Sequence, residues 1–181
     1  QDFTVAGGSV GEGTARKNRL WVKNLESDGE FLPIYTDFDA QYSVIGSDED
    51  TLFIRTTRDA PRAMVIATEV DPDGDISEKV ILPQAIDVLQ GVSVLGGRLV
   101  ANYLHNAHTL VKVFSLDGDF EYDLELPTLG SAGGFSGKED QPNGFFRFSS
   151  FIYPPTIFRI DYETGQTSVY RQPNVDFDPA N

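Results

Sequence analysis

A catalytic serine needs a sharp strand-to-helix turn, and the nearest approach in this chain is Gly134-Phe135-Ser136-Gly137-Lys138. The nucleophile elbow is written G-x-S-x-G. Lys138 stands where the second glycine belongs, and no helical pattern follows, so the segment reads as a glycine-rich strand corner. A histidine base could come only from His105 or His108. Their i, i+3 spacing would make a metal pair on a helix, but the flanking residues read as strand and turn, and no third ligand is recognisable. They read as a hairpin corner whose imidazoles bond to backbone. Asp71-Pro72-Asp73-Gly74-Asp75 begins like a calcium loop, yet Ile76 replaces the required glycine and Leu82 the required glutamate, so a β-turn is expected. Gly7-Gly8 and Gly11-x-Gly13 lack the Lys-Ser/Thr pair of a phosphate loop and the βαβ unit of a dinucleotide site. They read as loop and bulge glycines. This reading leaves the chain with no catalytic residue, no metal site and no cofactor.

The elements that surround these residues follow from composition and repetition. The 181 residues include 28 acidic and 14 basic side chains, a net charge of −14, and no cysteine. Disulfides and thiol chemistry are excluded. The charge disfavours nucleic acid and anionic membranes as partners, and its scattering along the chain fits a solvated surface. No apolar run approaches the length of a membrane-spanning helix. Cytoplasm and periplasm both remain open as the compartment.

Three segments repeat one pattern: Thr51–Gly74, Gly97–Gly118 and Gly144–Gly165. Each holds an alternating apolar run, a polar break, a second alternating run and an acidic-Gly turn. Asn18–Gly29 keeps only the second run and the turn. Successive turn glycines (Gly29, Gly74, Gly118, Gly165) recur at about 45 residues, the period of four-stranded propeller blades. A further run follows each turn, at Glu30–Tyr35, Ile76–Leu82, Asp119–Leu126 and Gln166–Arg171. Another precedes each full repeat, at Ala40–Gly46, Gly91–Gly96 and Gly130–Gly137. The expected fold is therefore all-β: a partial blade at 1–37, blades at 38–83, 84–127 and 128–172, and an exit segment at 173–181. Propellers close as rings of four to eight blades. Three and a half blades do not close, so the chain, which starts at Gln1, is expected to be a piece of a longer protein. Trp21 and Lys112 fall within alternating runs, Trp21 read as core and Lys112 as a buried aliphatic stem.

The repeats also carry specific words. Ser150-Phe151, Pro154-Pro155 and Asp161 resemble the last propeller blade of the prolyl oligopeptidase (prolyl endopeptidase) family. Tyr103–His108 resembles the blade before it, Ala60-Pro61-Arg62 the one before that, and Asn174–Pro179 the link back to the hydrolase domain. The resemblance implies roughly the second half of a seven-bladed propeller in a serine peptidase. The propeller would cap an α/β-hydrolase domain, absent from this chain, that supplies Ser, Asp and His, and would gate access for short peptides cut after proline. It also implies that the Val10–Asn18 loop faces the cavity between the domains and that Thr14 lines the outer substrate pocket. The related oligopeptidase B, with its basic-residue preference, is one alternative; a non-enzymatic propeller scaffold is another. A cut propeller exposes apolar blade faces, so self-association of the fragment is also expected.

Overall fold

The computed structural model describes residues 5–11, 14, 16–24, 30–48, 51–70 and 75–173. Among them are fifteen strands and no helix. β1 (Val5–Gly11), β2 (Asn18–Asn24) and β3 (Leu32–Tyr35) form one sheet. β4 (Tyr42–Asp48), β5 (Thr51–Thr56), β6 (Met64–Val70) and β7 (Ile76–Leu82) form the second. β8 (Val88–Leu95), β9 (Arg98–His105), β10 (His108–Ser115) and β11 (Phe120–Asp123) form the third. β12 (Ser131–Gly137), β13 (Asn143–Ser149), β14 (Thr156–Asp161) and β15 (Thr167–Arg171) form the fourth. Every pairing is antiparallel between strands adjacent in sequence. This is the meander of propeller blades, and the chain is an all-β partial propeller.

Short turns explain the sheet order. Gly96 and Gly97 both have positive φ, 59° and 68°, between the paired residues Leu95 and Arg98. Two consecutive left-handed residues twist a hairpin in the sense its strands already have. Asn106 and Ala107 repeat that geometry between His105 and His108, with φ of 42° and 66°. The second and third strands of each four-stranded sheet pair without a register shift. The first strand meets the second across a shift at Val44/Gly46, Leu89/Gly91 and Gly133/Ser136. The last strands of the four sheets, β3, β7, β11 and β15, likewise join across a shift.

The chain divides into two compact units, 1–86 and 87–181. In the first, Leu20, Val22 and Ile34 pack with Tyr42, Leu52 and Ile54. In the second, Val100 and Val111 pack with Phe146, Phe148, Phe158 and Ile160, and the Phe146 and Phe158 rings stack 5.2 Å apart. β13 alternates cleanly: Phe146 and Phe148 are buried, whereas Phe145 and Arg147 are exposed. β15 is exposed along its whole length.

Several expectations shift. β1 is a strand: Gly7, Gly8 and Gly11 lie in a ladder running from Val5–Asn24 to Gly11–Asn18. Glycine weakens strand propensity, but pairing with β2 overrides it. The first sheet therefore holds three strands, one more than the faint repeat suggested. β8 starts at Val88 rather than Gly91, because the chain passes Gly91 as a register shift instead of starting there. In β10 the more buried side chains are Thr109, Val111 and Val113, so Lys112 is on the other face. Its ammonium sits 2.9 Å from Asp123 and 5.3 Å from the Phe120 ring centre. Trp21 is half-buried, while its neighbours Leu20 and Val22 fill the core.

Candidate functional site

The turn between β1 and β2 carries Thr14, which is exposed, as are Arg16 and Lys17. The strand that leaves this turn is tied to the second sheet at its first residue. Asn18 is 8% exposed. Its Nδ2 donates to the Tyr42 carbonyl at 2.9 Å, and its Oδ1 accepts from the Tyr42 N–H at 2.7 Å. The Asn18 N–H donates to the Ala40 carbonyl at 3.0 Å. A carboxamide has one donor and one acceptor end, so it pairs with a backbone amide as a neighbouring strand would. One residue on, Arg19 Nε donates to the Thr36 carbonyl at 2.8 Å, and its guanidinium lies over the Phe38 ring.

Deeper in the same unit is a network of titratable groups. Tyr35 and Tyr42 stack with centroids 4.3 Å apart. The Tyr35 hydroxyl donates to Glu78 Oε1 at 2.6 Å and lies 3.0 Å from Thr68 Oγ1. Its one proton goes to the carboxylate, so Thr68 donates to Tyr35. Arg58 Nη1 donates to Glu78 Oε1 at 3.1 Å, and Nη2 bonds Oε2, a bidentate pair. The Arg58 guanidinium also lies over the Tyr35 ring. Hydrogen bonds from Arg58 keep the Glu78 carboxyl below the usual range, with the Tyr35 bond adding to the effect. Burial, followed by the bond to Glu78, drives the Tyr35 hydroxyl well above the ordinary tyrosine value. Burial and the bond to Asp39 do the same to Tyr42.

In the second unit the two histidines meet at the β9–β10 turn, their rings edge to face at 5.4 Å. His105 Nδ1 lies 3.0 Å from both oxygens of Asp87, and its Nε2 lies 3.0 Å from Asn106 Nδ2. The network assigns the ring proton to Nδ1, donated to Asp87, with Nε2 accepting from Asn106. At His105 the expected backbone bonding is replaced by side-chain partners, because Asp87, 18 residues back in sequence, reaches the turn from the segment entering β8. The Ser136 hydroxyl donates to the Phe145 carbonyl at 3.4 Å; β12 ends at Gly137, and the next element is strand β13. A cavity of about 430 Å³ is lined by His108, Leu110, Asp123, Leu124, Leu126 and Leu129. Asp161 accepts from the N–H groups of Glu163 and Thr164, which close the turn after β14 and, with the Thr164 hydroxyl, hold its carboxyl low. The Tyr122 hydroxyl, pushed up to about 12 by burial, donates to the Tyr162 carbonyl at 2.6 Å. Among the described residues, no three His, Cys, Asp or Glu gather as a metal set. The Asp71–Gly74 stretch and the Asn174–Pro179 link lie outside the described residues.

Three of the family words fall in the connection between the second and third strands of their own four-stranded sheets. Ala60-Pro61-Arg62 lies in the β5–β6 connection, Tyr103–His108 spans the β9–β10 turn, and Ser150–Pro155 connects β13 to β14. Thr14 sits in the corresponding connection of the first sheet, since β3 is the last strand there. The family model described as the prolyl oligopeptidase N-terminal beta-propeller domain matches residues 9–173. The chain belongs to this family. Its similarity to known prolyl oligopeptidases extends over nearly its whole length. It is 32% identical over 164 residues to the prolyl endopeptidase of Elizabethkingia meningoseptica, covering 91% of this chain and 23% of that protein. The prolyl endopeptidase of Elizabethkingia miricola is 30% identical with the same coverage. The solved apo structure of prolyl oligopeptidase B from Galerina marginata superposes with a TM-score of 0.87 at 25% identity, covering 97% of this chain and 26% of that one. The chain spans about a quarter of the length of the curated relatives it matches.

Sequence reasoning missed Asn18 as an anchor, the Asp87–His105 pair and the Tyr35–Glu78–Arg58 network. Each joins residues that alternation alone assigns to separate strands or turns. These polar positions carry no local signal, because strand pairing and, for Asn18 and Tyr35, the packing of neighbouring sheets bring their partners near.

Proposed function

We propose that the chain is part of the propeller half of a prolyl endopeptidase, a serine peptidase that cuts short peptides after proline. The family match over residues 9–173 carries this reading. The blades correspond to 38–83, 84–127 and 128–172, with a partial blade at 1–37 and an exit segment at 173–181. The nucleophile, base and acid lie in an α/β-hydrolase domain outside these 181 residues, and this chain contributes none of them. Acylation of the serine would be assisted by the His–Asp pair and an oxyanion hole there. The propeller's part is to limit access by size, and Thr14 lines the outer substrate pocket.

The test is hydrolysis of a chromogenic succinyl-Gly-Pro peptide by the full-length protein and by the 181-residue chain. Cleavage by the full-length protein alone is expected. Cleavage by the chain alone would overturn the assignment of its Ser136 and histidines to structure. Cleavage after arginine but not after proline would overturn the substrate class. The exposed Phe145, Ile157 and Tyr170 of the fourth sheet would drive self-association of the isolated chain. A stable monomer by light scattering at high concentration would refute that part.

A further inference from the structure

We infer that Asn18 is a positioning residue for substrate recognition, acting through the turn that carries Thr14. The inference rests on the proposed reading of Thr14 as a pocket-lining residue. Asn18 is the first residue of β2, directly after the turn, and pairs with Gly11 at the other end of it. Both polar ends of its side chain are used, and both go to the same residue of the neighbouring sheet, Tyr42. Its backbone N–H adds a third tie, to Ala40. The first sheet therefore ends at the turn in a fixed place relative to β4. Arg19 extends the anchorage to Thr36 and Phe38.

The chemistry is specific to a carboxamide. Aspartate at 18 would keep the acceptor for the Tyr42 N–H but set a carboxylate oxygen against the Tyr42 carbonyl, in a position that is 8% exposed. Alanine leaves the Tyr42 N–H and carbonyl both without this partner. Either change loosens the base of the turn, leaving it the backbone tie to Ala40 and the Arg19 contacts, while the second sheet's own ladders stay untouched. A displaced pocket wall weakens the binding of peptides long enough to reach it and spares those that do not.

The experiment uses the full-length protein with a short succinyl-Gly-Pro substrate and a longer proline peptide that extends to the outer pocket. Asn18→Ala is expected to raise KM for the longer peptide about tenfold, with kcat within about twofold and the short substrate unaffected. Thr68→Val is the control, since it loosens the same two sheets at β6 without touching the turn. It should lower thermal stability and leave both KM values unchanged. Equal KM effects from Asn18→Ala and Thr68→Val would reduce Asn18 to a stability residue and overturn the inference. Thr14→Trp separates the two layers. If it changes KM for the longer peptide and Asn18→Ala does not, the positioning role fails alone. If neither changes it, the reading of Thr14 fails and takes the inference with it. Should Asn18→Ala give no soluble protein, Asn18→Ser, with a single hydroxyl in place of the paired amide, takes its place with the same expected pattern.

Discussion

Replacing Tyr35 with phenylalanine removes one oxygen and two hydrogen bonds from the contact between the first two sheets. The ring stays, so its stack on Tyr42 and its contact with Arg58 survive. The bond from Thr68 is neutral and costs about 1 kcal/mol to lose; the bond to the Glu78 carboxylate is charge-assisted and costs about 2 kcal/mol. Thr68 has no exposed surface, so water cannot replace the lost partner. Glu78 keeps its bidentate Arg58 and is partly solvated, which limits its share of the loss. The total is about 3 kcal/mol, or about a hundredfold in the opening equilibrium of this contact. Native-state hydrogen exchange reads that equilibrium at the amides of β3 and β7. The expected result is exchange about a hundredfold faster in these strands, with β13 and β14 unchanged. A Tyr35→Phe, Thr68→Val pair should recover part of the loss, since it removes the stranded hydroxyl as well. Exchange in β3 and β7 that stays within about twofold of the parent would show that the two hydroxyl bonds contribute nothing to holding the sheets together.

The Glu78 carboxyl has a folded-state value below its unfolded one, so its stabilisation is present above about pH 4.5 and fades as pH falls through the lower folded value. Exchange in β7 should therefore separate the parent from Glu78→Gln at pH 7, and the gap should shrink toward pH 3, with a pH-independent gap contradicting the pairing. Ala107 occupies a left-handed position with φ of 66°, so Ala107→Gly should stabilise the β9–β10 hairpin by about 1 kcal/mol, visible as a raised melting temperature. A Cβ on Gly144 would lie 2.1 Å from the Ser136 carbonyl and 2.5 Å from the Tyr162 ring, so Gly144→Ala should destabilise the fourth sheet by about 3 kcal/mol or more and lower its exchange protection.

Much of the strand pattern is legible because alternation and turn glycines are local signals. Ile76–Leu82 is a strand with the very limits its alternation suggests, and Phe146 and Phe148 are buried as their spacing requires. The misreadings have one cause. At β1, glycines conceal a strand that exists through its long pairing with β2, a non-local fact. At β10, both faces are apolar enough that alternation does not say which packs more tightly, and Lys112 lies opposite Asp123 because β11 follows at that register. The candidate site is less legible still. Thr14 was reached only through resemblance, and the anchors at Asn18, Tyr35 and Asp87 depend on partners 18 to 43 residues away.

The register shifts have a consequence for the chain's solubility. β3, β7, β11 and β15 each form one edge of their sheet, and such edges offer rows of unsatisfied N–H and C=O groups to any passing strand. Each of these four joins its sheet across a shift, which leaves a residue out of the ladder and twists the edge. β7 adds Glu78 and Lys79, and β15 adds Arg171, to the same margins. A straight run long enough to template a fibril is thereby interrupted along these four rims, which guards them against edge-to-edge aggregation.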